Sequence, residues 1–301
     1  MGESFGKVPG YLLEAPIGED SSSQLWRGRR SGSTEQVALK RLELHDVGEF
    51  FRARSAATLL AELEHPNLVR VRELVPSGTA VVLVTDLAAG GSLAEVLKDR
   101  GALPASEMIA ALAPIADVLA YLHDAGVVHG DICPANVMFS DAGAPMLANL
   151  GVARLRGDNG PVHSTPDYID PGVAAGFLPG PQSDVFMLAG VAIHALTGAA
   201  LWPGEGVEHV LLNALIADLD NLGRRLDLAG VAPALQKVLR RALSVEPGGR
   251  GNAAELALGL RECAPGAIGA LAVRHRPEAA NAGVSAATAE LAGPAAELAG
   301  P

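Results

Sequence analysis

From residue 11 to residue 86 the chain is built of short β-type runs, and after Gly90-Gly91 it turns to long helical patterns. Alternating apolar residues bounded by turn clusters such as Ser31-Gly32-Ser33 predict strands at 11–17, 24–30, 36–42, 69–75 and 80–86. Between the third and fourth, residues 47–63 repeat apolar side chains at helical spacing until His65-Pro66-Asn67 stops them. Helices are predicted at 92–99, 105–125, 183–197, 207–217, 233–244 and 253–263, with Ser92 and Ser183 as N-caps and Gly126 and Gly198 as stops. Strands grouped ahead of helices imply an α+β architecture of two lobes: a small five-stranded antiparallel lobe with one helix, then a larger, mainly helical lobe.

Composition narrows the setting. A chain of 301 residues, 49% of them hydrophobic, can bury a large core without disulfide or metal staples. Its two cysteines, Cys133 and Cys263, have no metal-ligand spacing, so a reducing cytoplasm is the expected location. The balance of 23 basic against 34 acidic residues, net −11, opposes nucleic acid and anionic membrane surfaces as general partners. No signal-peptide core stands at the N-terminus, and the apolar stretch 187–202 is interrupted by His194, Thr197 and two glycines, so no membrane insertion is expected. From residue 264 the chain is Ala/Gly/Pro-rich and repeats Ala-Glu-Leu-Ala-Gly-Pro at 289–294 and 296–301, which reads as a disordered tail.

Several motifs carry chemistry. Residues 129–136 read His-Gly-Asp-Ile-Cys-Pro-Ala-Asn, and Asn149-Leu150-Gly151 follows. Upstream stand Val37-Ala38-Leu39-Lys40, His65-Pro66-Asn67-Leu68-Val69 and Gly90-Gly91-Ser92-Leu93; downstream come Ser164-Thr165-Pro166-Asp167-Tyr168 and Ser183-Asp184-Val185. Their order and spacing over residues 10–263 resemble the bacterial Ser/Thr protein-kinase family. The resemblance implies a kinase-like bilobal fold with an N-lobe at 10–88 and a C-lobe at 89–263, preceded by an arm at 1–9 and followed by the tail at 264–301.

It also implies roles. Asp131 would accept or orient a substrate hydroxyl proton, and Lys40 would set a point charge against nucleotide phosphates. Gly18, Ala38, Lys40 and the backbone at Asp86 and Ala88 would bound an ATP site, with Thr85 at its back. Asn136 and Asn149 would be the metal ligands. His129 is expected to brace the loop from the core, Thr165 to hydrogen-bond it, and Asp184 to anchor its backbone.

The chain departs from the family pattern at several of these positions. Only the first glycine of Gly-x-Gly-x-x-Gly survives, as Gly18, and Asp20 takes the place of the second. Ala56 stands where a helix glutamate would hold Lys40, with no acid in residues 52–60. Asn149 replaces the carboxylate that bridges magnesium to the nucleotide, removing a full charge from a site for a hard cation. Gly130 replaces an arginine that pairs with an activation-loop phosphate, so phosphorylation of Ser164 or Thr165 is not an expected switch. Asp170-Pro171-Gly172 replaces Ala-Pro-Glu, which takes away the acid expected to pair with Arg250.

The resemblance with these departures implies a pseudokinase, a regulatory or scaffolding module that presents its surface to a protein partner, with ATP allowed and Mg²⁺ weak or absent. The alternative is an active but slow Ser/Thr protein kinase acting on protein hydroxyls. His-Gly-Asp followed by Asn136 also resembles small-molecule phosphotransferases, against which stand Ser164-Thr165-Pro166 and Ser183-Asp184-Val185.

Overall fold

The computed structural model describes residues 7–20, 23–43, 47–77, 80–150, 154–155 and 164–266. The expected tail lies outside these residues apart from its first three positions, and so do Ser21, Ser22 and Gly151.

The small lobe is a five-stranded antiparallel sheet in the order β1-β2-β3-β5-β4. Its strands are β1 Tyr11–Asp20, β2 Ser23–Arg30, β3 Gln36–Glu43, β4 Val71–Ser77 and β5 Ala80–Asp86, and its helix is α1 Val47–Ala61. Period-two alternation places Val37 and Leu39 of β3, Val75 of β4 and Val82 and Val84 of β5 in one small core, which Val8 and Tyr11 close from below. Gly28 is required in β2, because a Cβ there would sit 2.5 Å from both the Leu12 carbonyl oxygen and a Leu39 methyl.

The large lobe is helical. Its elements are α2 Leu93–Arg100, α3 Ala105–Asp124, α4 Pro171–Ala174, α5 Pro181–Thr197, α6 Val207–Ile216, α7 Leu219–Leu228, α8 Pro233–Ala242 and α9 Ala253–Cys263. Short strands β6 Val127–Val128, β7 Val137–Phe139, β8 Pro145–Leu147 and β9 Arg154–Leu155 form two ribbons, β6-β9 and β7-β8. Helix α3 has the length and hydropathy of a membrane-spanning helix. Its Leu112, Ile115, Leu119 and Leu122 are fully buried in the core shared with α5 and α9.

The N-cap of α2 is Ser92, in a reciprocal capping box with Glu95. Helix α5 begins two residues earlier than Ser183 suggests: Gly180 is its N-cap and Pro181 opens it, while the Ser183 hydroxyl accepts a hydrogen bond from the Gly180 N–H at 3.2 Å. Gly198 ends it in the left-handed conformation, as expected of a helix stop.

The lobes are joined on both sides of the β7-β8 ribbon. Val69 N–H donates to the Leu147 carbonyl and Leu147 N–H to the Asn67 carbonyl, while Asn67 Nδ2 donates to the Pro145 carbonyl at 2.7 Å. On the other side, Gly90 N–H donates to the Phe139 carbonyl and Phe139 N–H to that of Gly91. The ribbon therefore fixes the segment that ends in Asn149 relative to the small lobe.

Candidate active site

The loop between β6 and β7 carries the expected acid. Asp184, fully buried in α5, accepts hydrogen bonds from the backbone N–H of His129 at 2.9 Å and of Gly130 at 2.8 Å, and contacts His123 Nε2 at 2.8 Å. A buried carboxylate satisfied in this way holds the loop from beneath. His129 has no exposed surface, and its Nε2 lies 2.9 Å from the Ala148 carbonyl while its Nδ1 accepts the Asp131 N–H. That pair of contacts requires the tautomer protonated at Nε2, a bracing role with no surface left for proton transfer to a substrate.

Asp131 is half-buried, and both of its oxygens are held. Oδ1 accepts from the Thr165 N–H and hydroxyl, each at 2.7 Å, and Oδ2 accepts from Asn136 Nδ2 at 3.0 Å. Asn136 Nδ2 also donates to the Asp131 carbonyl at 2.7 Å. The carboxylate is thereby fixed in rotation, with lone-pair capacity left on Oδ2 for an incoming hydroxyl. Ser164 donates to the Gly130 carbonyl, so two neighbouring residues of the 164–170 segment grip the loop.

The end of that segment is anchored by Asp170, although the departure at 170–172 leads one to expect no acid for Arg250. Asp170 meets Arg250 through two parallel bonds, Oδ2 to Nη1 at 2.8 Å and Oδ1 to Nη2 at 3.0 Å, both side chains buried. The acid missing at position 172 is supplied two residues earlier. Asp170 also caps α4 by accepting from the Gly172 N–H. Arg250 is satisfied further by the carbonyls of Gln182, Ser244 and Val245, and its guanidinium stacks 4.7 Å from the Phe186 ring centroid. Burial pushes the Asp170 carboxyl up, and the bonds from Arg250 and Ser183 together with the Arg250 charge outweigh this and hold it below its ordinary value.

Lys40 projects from β3 across the lobe boundary. Its Nζ donates to Asn149 Oδ1 at 2.9 Å, and it makes other contacts besides. Asn149 is a non-glycine residue at φ +70°, a left-handed conformation that asparagine adopts more readily than most side chains. Asn136 and Asn149 thus lie in one site with Asp131 and Lys40, but as two neutral amides, one of whose oxygens is already occupied by an ammonium. Among the described residues no cluster of three His, Cys, Asp or Glu could hold a metal ion. The oxygens these two amides leave for a hard divalent cation are neutral, a weaker donor set than one with a carboxylate at position 149.

The residues expected to bound a nucleotide lie on β1, β3 and β5 and just after β5. Ala38 is buried in β3 opposite Thr85, and Val37 lies opposite Asp86. The Asp86 side chain accepts a bond from Arg72 Nε at 2.6 Å, and Arg72 also donates to Glu35, a pairing that the sequence did not reveal. The Asp86 N–H donates to the Arg70 carbonyl. Gly18 lies in β1 opposite Leu25.

The residues that match a protein kinase domain run from 11 to 257. The chain belongs to the protein kinase family. The chain is 36% identical over 284 residues to the serine/threonine-protein kinase PkaA of Streptomyces coelicolor, covering 85% of this chain and 50% of PkaA. It is 30% identical over 248 residues to PknL of Mycobacterium tuberculosis, covering 80% of this chain and 62% of PknL. PkaB of Streptomyces coelicolor is 30% identical over 272 residues, covering 85% and 63% respectively. The chain spans between half and two thirds of the length of these relatives.

Proposed function

We propose that the chain is a serine/threonine protein kinase domain of low turnover, which passes the ATP γ-phosphate to protein hydroxyls and grips the divalent cation weakly. The observation that carries this reading is Asp131, whose two carboxylate oxygens are held by Thr165 and Asn136 in a loop anchored by Asp184. Such a group accepts the hydrogen of a hydroxyl placed against Oδ2 and orients its oxygen for attack. Bound ATP would supply the phosphoryl group. Lys40 opposes phosphate charge as an ammonium, and the Asp170–Arg250 pair keeps the 164–170 segment in place for a substrate chain. The serine/threonine-kinase relatives support this reading at least as well as they support a pseudokinase. A protein substrate and a cytoplasmic setting belong to the same proposal.

A second reading is favoured by Asn149, whose oxygen faces Lys40 in place of a metal-binding carboxylate. On that reading the domain is a pseudokinase that acts through a protein partner. Transfer of radiolabelled γ-phosphate to the domain itself or to a basic carrier protein, in Mg²⁺ and in Mn²⁺, separates the two. The kinase reading expects a slow signal that falls by about 10² or more in Asp131→Asn. Absence of transfer in both metals would leave the pseudokinase reading standing.

A further inference from the structure

We infer that Asn149 is a positioning residue for Lys40: its side-chain oxygen serves as a fixed acceptor in the large lobe that holds the β3 ammonium across the lobe boundary. This deepens the kinase reading, because it says how the phosphate-facing charge is presented where Ala56 replaces the helix glutamate. It does not require Asn149 to be the sole partner of Lys40, which makes further contacts.

Three observations carry it. The first is the bond itself, Nζ to Oδ1 at 2.9 Å between residues 109 apart in sequence, both half-buried, which is the geometry of a charge-assisted contact screened less than a surface one. The second is the rigidity of the acceptor. The residue before it, Ala148, donates its N–H to the Asn136 carbonyl and receives His129 Nε2 on its own carbonyl, and Leu147 is stitched to Asn67 and Val69. An acceptor on so determined a backbone selects one position for a flexible four-carbon chain. The third is the backbone at 149 itself. Its φ of +70° is one that asparagine adopts more readily than most side chains, so the backbone admits this short amide acceptor without giving up its own conformation.

The arrangement also assigns the oxygen. An amide has one acceptor atom, and here that atom faces an ammonium, so a cation approaching Asn149 meets a like charge already in place. The side chain at 149 thus works as a holder for the lysine, a different use of the position from the metal bridge of the family.

The test reads the lysine directly and needs neither nucleotide nor turnover. Wild type, Asn149→Gly and Asn149→Asp are treated with limiting acetic acid N-hydroxysuccinimide ester, and acetylation of Lys40 is followed by peptide mass spectrometry against exposed Lys98 and Lys237. Glycine suits the backbone at 149 and removes only the acceptor, so the variant retains its fold, which a thermal melt verifies. Asn149→Gly is expected to speed Lys40 acetylation roughly fivefold, the factor a net hydrogen bond of ordinary strength represents. Asn149→Asp, which keeps an oxygen in the same place, is expected to leave it no faster than wild type. Equal Lys40 rates in wild type and Asn149→Gly would overturn the inference, as would equal acceleration in Asn149→Asp. A domain that transfers no phosphate would still give the expected labelling pattern, so failure of the kinase reading is separable from failure of this one.

Discussion

At the scale of single residues, the site is decided by where charges find partners. Arg250 and Asp170 are both buried, and each satisfies the other with two bonds. Removing one member of such a pair leaves an uncompensated buried charge, so Asp170→Ala is expected to lower unfolding free energy by about 3–5 kcal/mol in urea titrations. The pH dependence has a definite sign. Folding depresses the Asp170 carboxyl, so its contribution is complete above the ordinary aspartate range and is lost as pH falls through the lower folded value. The stability gap between wild type and Asp170→Ala should therefore be constant from about pH 5 to 8 and narrow below about pH 4. None of this was legible beforehand. The sequence showed an acid missing at position 172, and only the three-dimensional path of residues 164–172 shows that Asp170 reaches the same arginine. The Lys40–Asn149 bond was hidden for the same reason, since nothing local links positions 109 apart. The roles of His129, Thr165 and Asp184 were legible through the family resemblance, because each sits in a motif that the resemblance aligns residue by residue.

At the scale of elements, the two lobes meet on a ribbon with no slack. A Cβ on Gly90 would stand 2.3 Å from the Ser140 carbonyl oxygen and 2.7 Å from that of Phe139, both backbone atoms that cannot rotate aside. Gly90→Ala must push the β7-β8 ribbon away from the start of the large lobe. We expect a loss of about 1–3 kcal/mol and a melting temperature lower by roughly 2–4 °C for each kcal/mol, read by calorimetry. The strands of the small lobe were read from alternation and turn clusters to within a few residues, since a half-buried antiparallel sheet imposes that period directly. Helix α7 was not foreseen. Among its described side chains Leu222 and Leu226 are the buried large apolar ones, set among Asp, Asn, Gly and Arg residues, too sparse a stripe to announce a helix. The short α4 was masked by Asp170-Pro171, which as a sequence reads as a turn and in the structure is an N-cap followed by a first-turn proline.

At the scale of the whole molecule, this protein kinase domain joins a firmly held loop acid, Asp131, to neutral side chains at two positions where the family pattern has acids. Asp131, Asn136, Thr165 and Asp184 form one connected network, and the Asp170–Arg250 pair fixes the end of the segment that bears Thr165. Against this, positions 56 and 149 are neutral. On the proposed reading the shortfall is electrostatic, and a charge restored at position 149 recovers much of the rate. The most direct measurement is γ-phosphate transfer in Mg²⁺ by wild type, Asn149→Asp and Asn149→Asp combined with Asp131→Asn. We expect Asn149→Asp to raise the transfer rate by a factor on the order of 10² to 10³, and Asp131→Asn to abolish the gain. An Asn149→Asp rate no higher than that of wild type, or a gain that survives Asp131→Asn, would contradict the claim that the loop is assembled and the metal grip is what is weak.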